Sequence, residues 1–338
     1  MMTEWTKDKE KRILWKYRFS LTMRIIRVVL ILLFLFGVYM VLISIGYSFT
    51  KLGDKNSFHL NLAIDWTQPG LHGEYGRPIN TEITPFLSQK LTIPISQTIG
   101  KEEEVIGEWD VTKRMLPIFS SKERTYFQSS DNKQFGFILP EDPLTGKKLR
   151  SVTNMADQQQ WQKLEMVHEG TVANLAFSTS QYYKPEELIK KLETYDLDIQ
   201  WMPLYAGELK AFEPSWGRTG GGEHLSVDTL GLSRAVDMDE DYNSWAEWLL
   251  SSKSIDENQK VMLKNMKNLI DNESKTYLQN VLGLWYLEDR YTYLKENGFL
   301  VYGAVVTGPV KELLKLKEEQ DFRNIQVGNF EYWNWVTE

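Results

Sequence analysis

The chain contains no cysteine, which removes disulfides, Cys-ligated metals and thiol nucleophiles together. Histidine is nearly as scarce. His59, His72, His168 and His224 lie far apart with no His-x-x-His or His-Glu-x-x-His spacing, so an imidazole site would have to be assembled from distant strands. There is no Gly-x-Ser-x-Gly elbow, and no Gly-Lys-Ser/Thr to cradle a phosphate. These absences argue against an enzyme, and the sequence calls for no cofactor. A cell-wall hydrolase is further disfavoured because no paired-carboxylate spacing stands out.

One stretch lacks charge altogether. From Val28 to Tyr47 run twenty residues without Asp, Glu, Lys or Arg. At about 1.5 Å per residue they make roughly 30 Å of helix, the thickness of a hydrocarbon core, so the segment predicts a single transmembrane helix. A cleaved signal peptide is the alternative. The apolar run is long for that, and Ser44 to Thr50 offers no small-x-small cleavage site.

Positive charge is concentrated before the anchor. Eight basic residues (Lys7, Lys9, Lys11, Arg12, Lys16, Arg18, Arg24 and Arg27) stand there against Glu4, Asp8 and Glu10, leaving 31 basic and 43 acidic residues after it. The bias predicts a cytoplasmic N-terminus and an exported remainder of net charge -12. An acidic exterior does not fit nucleic acid. An exported domain without disulfides suits a Gram-positive surface. In the tail, Trp5, Ile13, Leu14, Trp15, Tyr17 and Phe19 interleave with the basic residues. This describes a segment lying on anionic lipid, or a docking segment for a cytoplasmic partner.

Beyond the anchor the expected class is α+β. A β-rich membrane-proximal region is expected over residues 48–150, with strands at Phe58 to Ile64 and Leu91 to Ser96, where apolar and polar residues alternate. Pro140 to Lys148 reads as a turn. Over 151–338 one order occurs twice. Thr171 to Ser178 reads as a strand, Lys184 to Leu192 as a helix with Pro185 near its start, and Leu197 to Leu204 as a strand. Then Phe299 to Val306, Gly308 to Leu316 and Asn324 to Gly328 repeat it. Two such βαβ units predict a split, ferredoxin-like sandwich. Between them a helical insertion is expected, with helices at Asp241 to Ser251, Asp256 to Ile270 and Ser274 to Lys295.

Two loops invite a functional reading. Gly217 to His224 is glycine-rich but fits neither nucleotide fingerprint; it reads as a mobile connection in which Trp216 and Arg218 could make contacts. Asp237 to Asn243 places carboxylates like a calcium loop, but Tyr242 and Trp248 stand where glycine and glutamate are needed, so a helix start is the simpler expectation.

Several phrases are distinctive: Gly170 to Ser178 (GTVANLAFS), Tyr183 to Leu188 (YKPEEL), Asp198 to Tyr205 (DIQWMPLY) and Thr307 to Leu316 (TGPVKELLKL). In these the chain resembles the Gram-positive sigma factor regulator family of the membrane anti-sigma-M type, most clearly from about Val167 to Trp335. The resemblance implies a regulator without catalytic residues that holds an extracytoplasmic-function sigma factor at the membrane, its exported domain tuning release in response to the envelope or to a membrane partner. The 27 residues before Val28 would reach about 40 Å as a helix, enough to cover one patch on a sigma factor. The candidate partner-binding residues are then Trp5, Trp15 and Tyr17 in the tail, with Trp216 and Arg218 outside. The alternative is a surface module sensing wall fragments or a partner protein, whose tail serves only to orient the anchor.

Overall fold

The computed structural model describes residues 7–76, 80–114, 119–127, 135–142, 145–149, 154–168, 170–207, 215–219, 222–226, 229–242 and 244–335, with the backbone alone for 80, 154–155, 215–219 and 222–226. The apolar run lies inside one continuous helix, α1 (Lys7–Thr50), none of whose residues is buried. Its 44 residues extend roughly 66 Å. Among the described residues it is the one helix long and apolar enough to cross a membrane.

A single residue separates α1 from α2 (Leu52–Thr67): Lys51, at φ 51°, breaks the helical path without a loop. Here the sequence expectation fails, because Phe58 to Ile64 is helix rather than strand. The alternation was real but not a sign of one wet face, since every residue from Asn56 to Trp66 is buried. The polar positions face protein instead of water. The His59 ring meets Glu273 Oε1 at 2.9 Å, Asn61 donates to the Glu74 carbonyl at 2.9 Å, and Asp65 accepts from the Gly73 N–H at 2.8 Å. A helix surrounded on all sides has no solvent stripe from which its 3.6-residue period could be read.

Two sheets enclose α2. The first carries β1 (Leu71–Gly73), β2 (Asn80–Ile83), β3 (Gln89–Ile99), β4 (Glu102–Lys113) and β5 (Ser121–Tyr126), in the order β1-β3-β4-β5 with β2 also on β3. Leu91, Ile93 and Ile95 point inward from β3 beside Trp109 of β4, the period-two pattern expected there. Pro140 to Lys148 does turn back, with a bridge between Glu141 and Lys148.

After α3 (Asn154–Glu165) comes the second sheet. Its strands are β6 (Thr171–Tyr183), β7 (Asp198–Tyr205), β10 (Leu230–Ser233), β13 (Leu300–Pro309) and β14 (Phe322–Tyr332), ordered β10-β7-β13-β6-β14 with every neighbour antiparallel. Between β6 and β7 lies α4 (Pro185–Leu192), opened by Pro185 and by Glu187 accepting from the Lys184 N–H. A short helix, Val310–Lys315, follows Pro309 between β13 and β14. One apolar cluster runs through both sheets, from Phe58 and Leu91 to Val306 and Leu316.

The insertion corrects two expectations. The stretch around Gly217 to His224 carries a hairpin of β8 (Ser215–Thr219) and β9 (Gly222–Ser226). Asp241 to Ser251 is not helical. It belongs to a second hairpin, β11 (Ala235–Met238) with β12 (Trp245–Trp248). Asp239 closes that turn by accepting from the Ser244 N–H and hydroxyl, at 3.3 and 2.8 Å, so the acidic run serves a turn rather than a helix start. The next expected helix is present as α5 (Ile255–Asn272). Ser274 to Lys295 is broken in two. Gly283, at φ 75°, ends a π-turn over Leu278–Leu282, and α6 (Leu287–Asn297) starts afresh after Tyr286.

Candidate functional site

Because α2 follows α1 after a single residue and is buried, its polar side chains seat in the domain the element on which α1 is mounted. They form two groups. At the start of α2, Lys113 from β4 donates to both Glu273 carboxylate oxygens, at 2.7 and 2.8 Å, and to Asn56 Oδ1 at 2.7 Å. His59 Nδ1 lies 2.9 Å from the same carboxylate and its Nε2 lies 3.2 Å from Asn268 Oδ1. Asn56 also donates to Gln89, and Lys55 to Asn272 at 2.6 Å. The first sheet, α2 and the end of α5 thus meet on one carboxylate.

The electrostatics follow from that burial. Desolvation works against the Glu273 carboxylate, but hydrogen bonding from His59 and the Lys113 ammonium outweigh it and hold its pKa below the usual range. Burial lowers the pKa of Lys113, with Glu273 pulling it back up. The Tyr277 ring sits under the ammonium, 4.3 Å from its centroid, and its hydroxyl is pushed up by burial and then by the Glu273 charge.

At the other end of α2, Asp65 accepts from the Gly73 N–H at 2.8 Å and the Tyr75 hydroxyl at 2.9 Å, with Arg234 Nε at 3.6 Å. Arg234 also donates to Glu247 at 2.9 Å and to the Gly73 carbonyl. Burial opposes the guanidinium charge, but Asp65 and its other anionic neighbours raise its pKa. Burial drives the Asp65 carboxyl up while Arg234 and its hydrogen-bond donors pull against it.

Beside Arg234 a cavity of about 590 Å³ opens between the two sheets. Its charged walls are paired: Lys101 with Asp198 at 2.7 Å, and His72 with Glu103 at 2.9 Å. Such a wall offers hydrogen bonds to a polar ligand. Among the described residues no group of three or more His, Cys, Asp or Glu could hold a metal ion.

The sequence candidates lie elsewhere. Trp15 and Tyr17 stand on α1, 68% and 74% exposed, with Trp15 stacked on Phe19 at 5.6 Å. Trp216 and Arg218 have their backbones in β8, opposite Leu225 and Glu223, and their side chains lie outside what is described, as does Trp5 altogether. Sequence reasoning missed His59, Asp65, Lys113, Arg234 and Glu273. The available signal was three polar residues inside an apolar run, a pattern shared by a half-buried strand and a fully enclosed helix.

Comparison with known proteins places both halves. The pattern described as sigma factor regulator N-terminal matches residues 11–104, from α1 through the β3–β4 turn, and the one described as sigma factor regulator C-terminal matches residues 164–329, which hold the second sheet and the insertion. A curated relative, "Probable anti-sigma-M factor YhdL" of Bacillus subtilis (strain 168), is 24% identical over 189 residues, 51% of this chain and 43% of the relative. The match therefore spans less than half of that relative's length. No solved structure matches the chain.

Proposed function

The chain belongs to the sigma factor regulator family, and from that premise we propose that it is a membrane-anchored, anti-sigma-factor-like regulator of an extracytoplasmic-function sigma factor. In this reading residues 1–27 are a cytoplasmic tail, 28–47 the anchor, 48–150 a membrane-proximal region and 151–338 a second exported region. The exported part is the sensor, and it acts by binding rather than by catalysis. The observation that carries the proposal is the extent of the N-terminal family match, which begins at residue 11 in the tail and runs through the apolar helix into the first sheet. The regulator unit therefore includes the segment that would connect the compartments. The charge bias around the anchor supports the orientation. The strand order β14-β6-β13-β7, with one helix between β6 and β7 and another between β13 and β14, supports a duplicated, ferredoxin-like βαβ domain.

Trp15 and Tyr17, exposed on one helix among basic residues, are the side chains we assign to the sigma factor, with Trp5 beside them in sequence. The test is capture of cellular sigma factors on the full chain in membranes, compared with a chain whose first 27 residues are scrambled. Equal recovery from both would sink sequestration by the tail.

A second reading has its own support in the cavity beside Arg234: a surface module for envelope ligands or a partner membrane protein, with Trp216 and Arg218 as outer contacts. Under it, exchanging the tail for another basic sequence would leave signalling intact.

A further inference from the structure

The hairpin between β2 and β3 carries an exposed apolar tip, Thr84-Pro85-Phe86-Leu87-Ser88. Phe86 is 86% exposed and Leu87 47%. In water such a pair at a turn costs solubility and contributes nothing to the core. The tip is nevertheless placed, because the Tyr39 hydroxyl of α1 donates to the Pro85 carbonyl at 2.8 Å. Tyr39 lies within the uncharged run Val28–Tyr47, eight residues before its end and so roughly 12 Å inside it. The tip therefore sits beside α1 at a depth where, if α1 spans a bilayer, acyl chains surround the helix.

We propose that Phe86 and Leu87 insert into the leaflet on the domain side, so that the domain holds the membrane at two points. This rests on the reading of α1 as a membrane anchor. The occupant of this surface is phospholipid acyl chain, and three further observations fit it. Ile83 to Gln89 contains no charged residue.

The second observation is that the tip closes on itself through three of its own N–H groups. The Thr84 N–H donates to the Ser88 carbonyl at 2.9 Å, the Leu87 N–H to the Thr84 carbonyl at 3.0 Å, and the Ser88 N–H to Thr84 Oγ1 at 3.2 Å. Pro85 has no N–H to satisfy. An apolar medium demands such closure.

The third is length. Glu82 and Lys90, directly paired on β2 and β3, are the first charges back from the tip. Three residues of chain cover about 10 Å back from Pro85, close to the roughly 12 Å from Tyr39 to Tyr47, so a hairpin running along α1 would carry this pair to where headgroups begin. Lys90 can extend its ammonium toward phosphate from there. Phe119, 54% exposed in the β4–β5 connection, lies at the same end of the sheet, because Gln89 pairs with Lys113 and Thr112 with Ser121.

The absence of cysteine makes the test direct. Single variants Phe86→Cys, Leu42→Cys and Glu104→Cys of the full chain are labelled with an environment-sensitive fluorophore and reconstituted into phosphatidylcholine–phosphatidylglycerol vesicles, with and without brominated acyl chains. Leu42 reports the anchor. Glu104 lies eight residue pairs along the β3–β4 ladder from Lys113, roughly 26 Å away by register (nine positions on β4, eight on β3), and reports water. The expected result is bromine quenching and a blue-shifted emission at position 86 approaching those at 42, with neither at 104.

Quenching at 42 with position 86 behaving like 104 overturns the insertion and leaves the anchor standing. Loss of quenching at 42 removes the anchor reading and the insertion with it. A label at 86 that is shielded from aqueous iodide but not quenched by bromine means that protein covers the tip, which also overturns the lipid assignment. Phe86 packs on little of the domain, so its replacement leaves the fold in place, and unchanged tryptophan emission of the variant verifies this.

Discussion

Glu273→Ala is the most informative single perturbation. The side chain is 5% exposed and receives Lys113, itself 23% exposed, together with His59. Removing one partner of a buried ion pair costs about 3–5 kcal/mol, because the other charge is left desolvated. Lys113 keeps Asn56 Oδ1 and the Tyr277 ring, so the loss should fall near the lower end, about 3 kcal/mol. Replacing both partners, Lys113→Met with Glu273→Gln, leaves no buried charge unpaired and should cost less than these two single changes together by about 1–3 kcal/mol.

The pH dependence has a definite sign. A carboxyl whose folded pKa lies below its unfolded value stabilises the fold above the unfolded pKa, and that contribution disappears as pH falls through the folded one. The wild-type chain should therefore lose this contribution as pH falls below the ordinary value of 4.5, and Glu273→Ala should lack that part of the acid limb. Lys113 behaves in the opposite sense. Its pKa is already lowered by burial, so in Glu273→Ala the unpaired ammonium should make stability recover as pH rises through the lowered pKa. Urea unfolding of the full chain in detergent, followed by tryptophan fluorescence across pH, measures all of this. A cost for Glu273→Ala below about 1 kcal/mol, with additive single and double variants, would refute the claim that this carboxylate ties α2 to the sheet and to α5.

Other outcomes follow from the same geometry. Arg234→Met should destabilise by about 3–5 kcal/mol in the same urea assay, since it strands Asp65 in the core. Gly231→Ala should cost toward the upper end of about 1–3 kcal/mol, because its Cβ would come within 1.8 Å of the buried Trp201 ring; thermal unfolding would show it. Lys267→Ala, which breaks an exposed i,i+4 pair with Asp271, should leave the unfolding midpoint unchanged and serves as the control. Trp15→Ala with Tyr17→Ala should reduce sigma-factor capture without shifting the unfolding midpoint, since both side chains are exposed.

Where one face of an element meets water, the sequence announced the element. The alternation of Leu91, Ile93 and Ile95 marked β3, and Pro185 and Pro309 marked where helices begin after β6 and β13. Where an element meets protein on every side the same logic misled. α2 looked like a strand because His59 and Asn61 interrupt the apolar residues of Phe58 to Ile64, and their partners, Glu273 and the Glu74 carbonyl, are a remote residue and one just past β1. The acidic run after Asp237 failed for a related reason, since a carboxylate can close a hairpin turn as readily as it can start a helix. The sites divide likewise. Exposed tail aromatics can be read from type and context, whereas a carboxylate shared by three elements exists only after folding.

The joint at Lys51 turns α1 into a lever. Its second point of support is Tyr39, twelve residues away or about 18 Å, while Lys7 lies 44 residues from the joint, about 66 Å. A rigid α1 pivoting at Lys51 would therefore magnify a sideways shift of 1 Å at the hairpin tip to about 4 Å at the far end of the tail. Spin-label distances between the tail and the first sheet would record that gain.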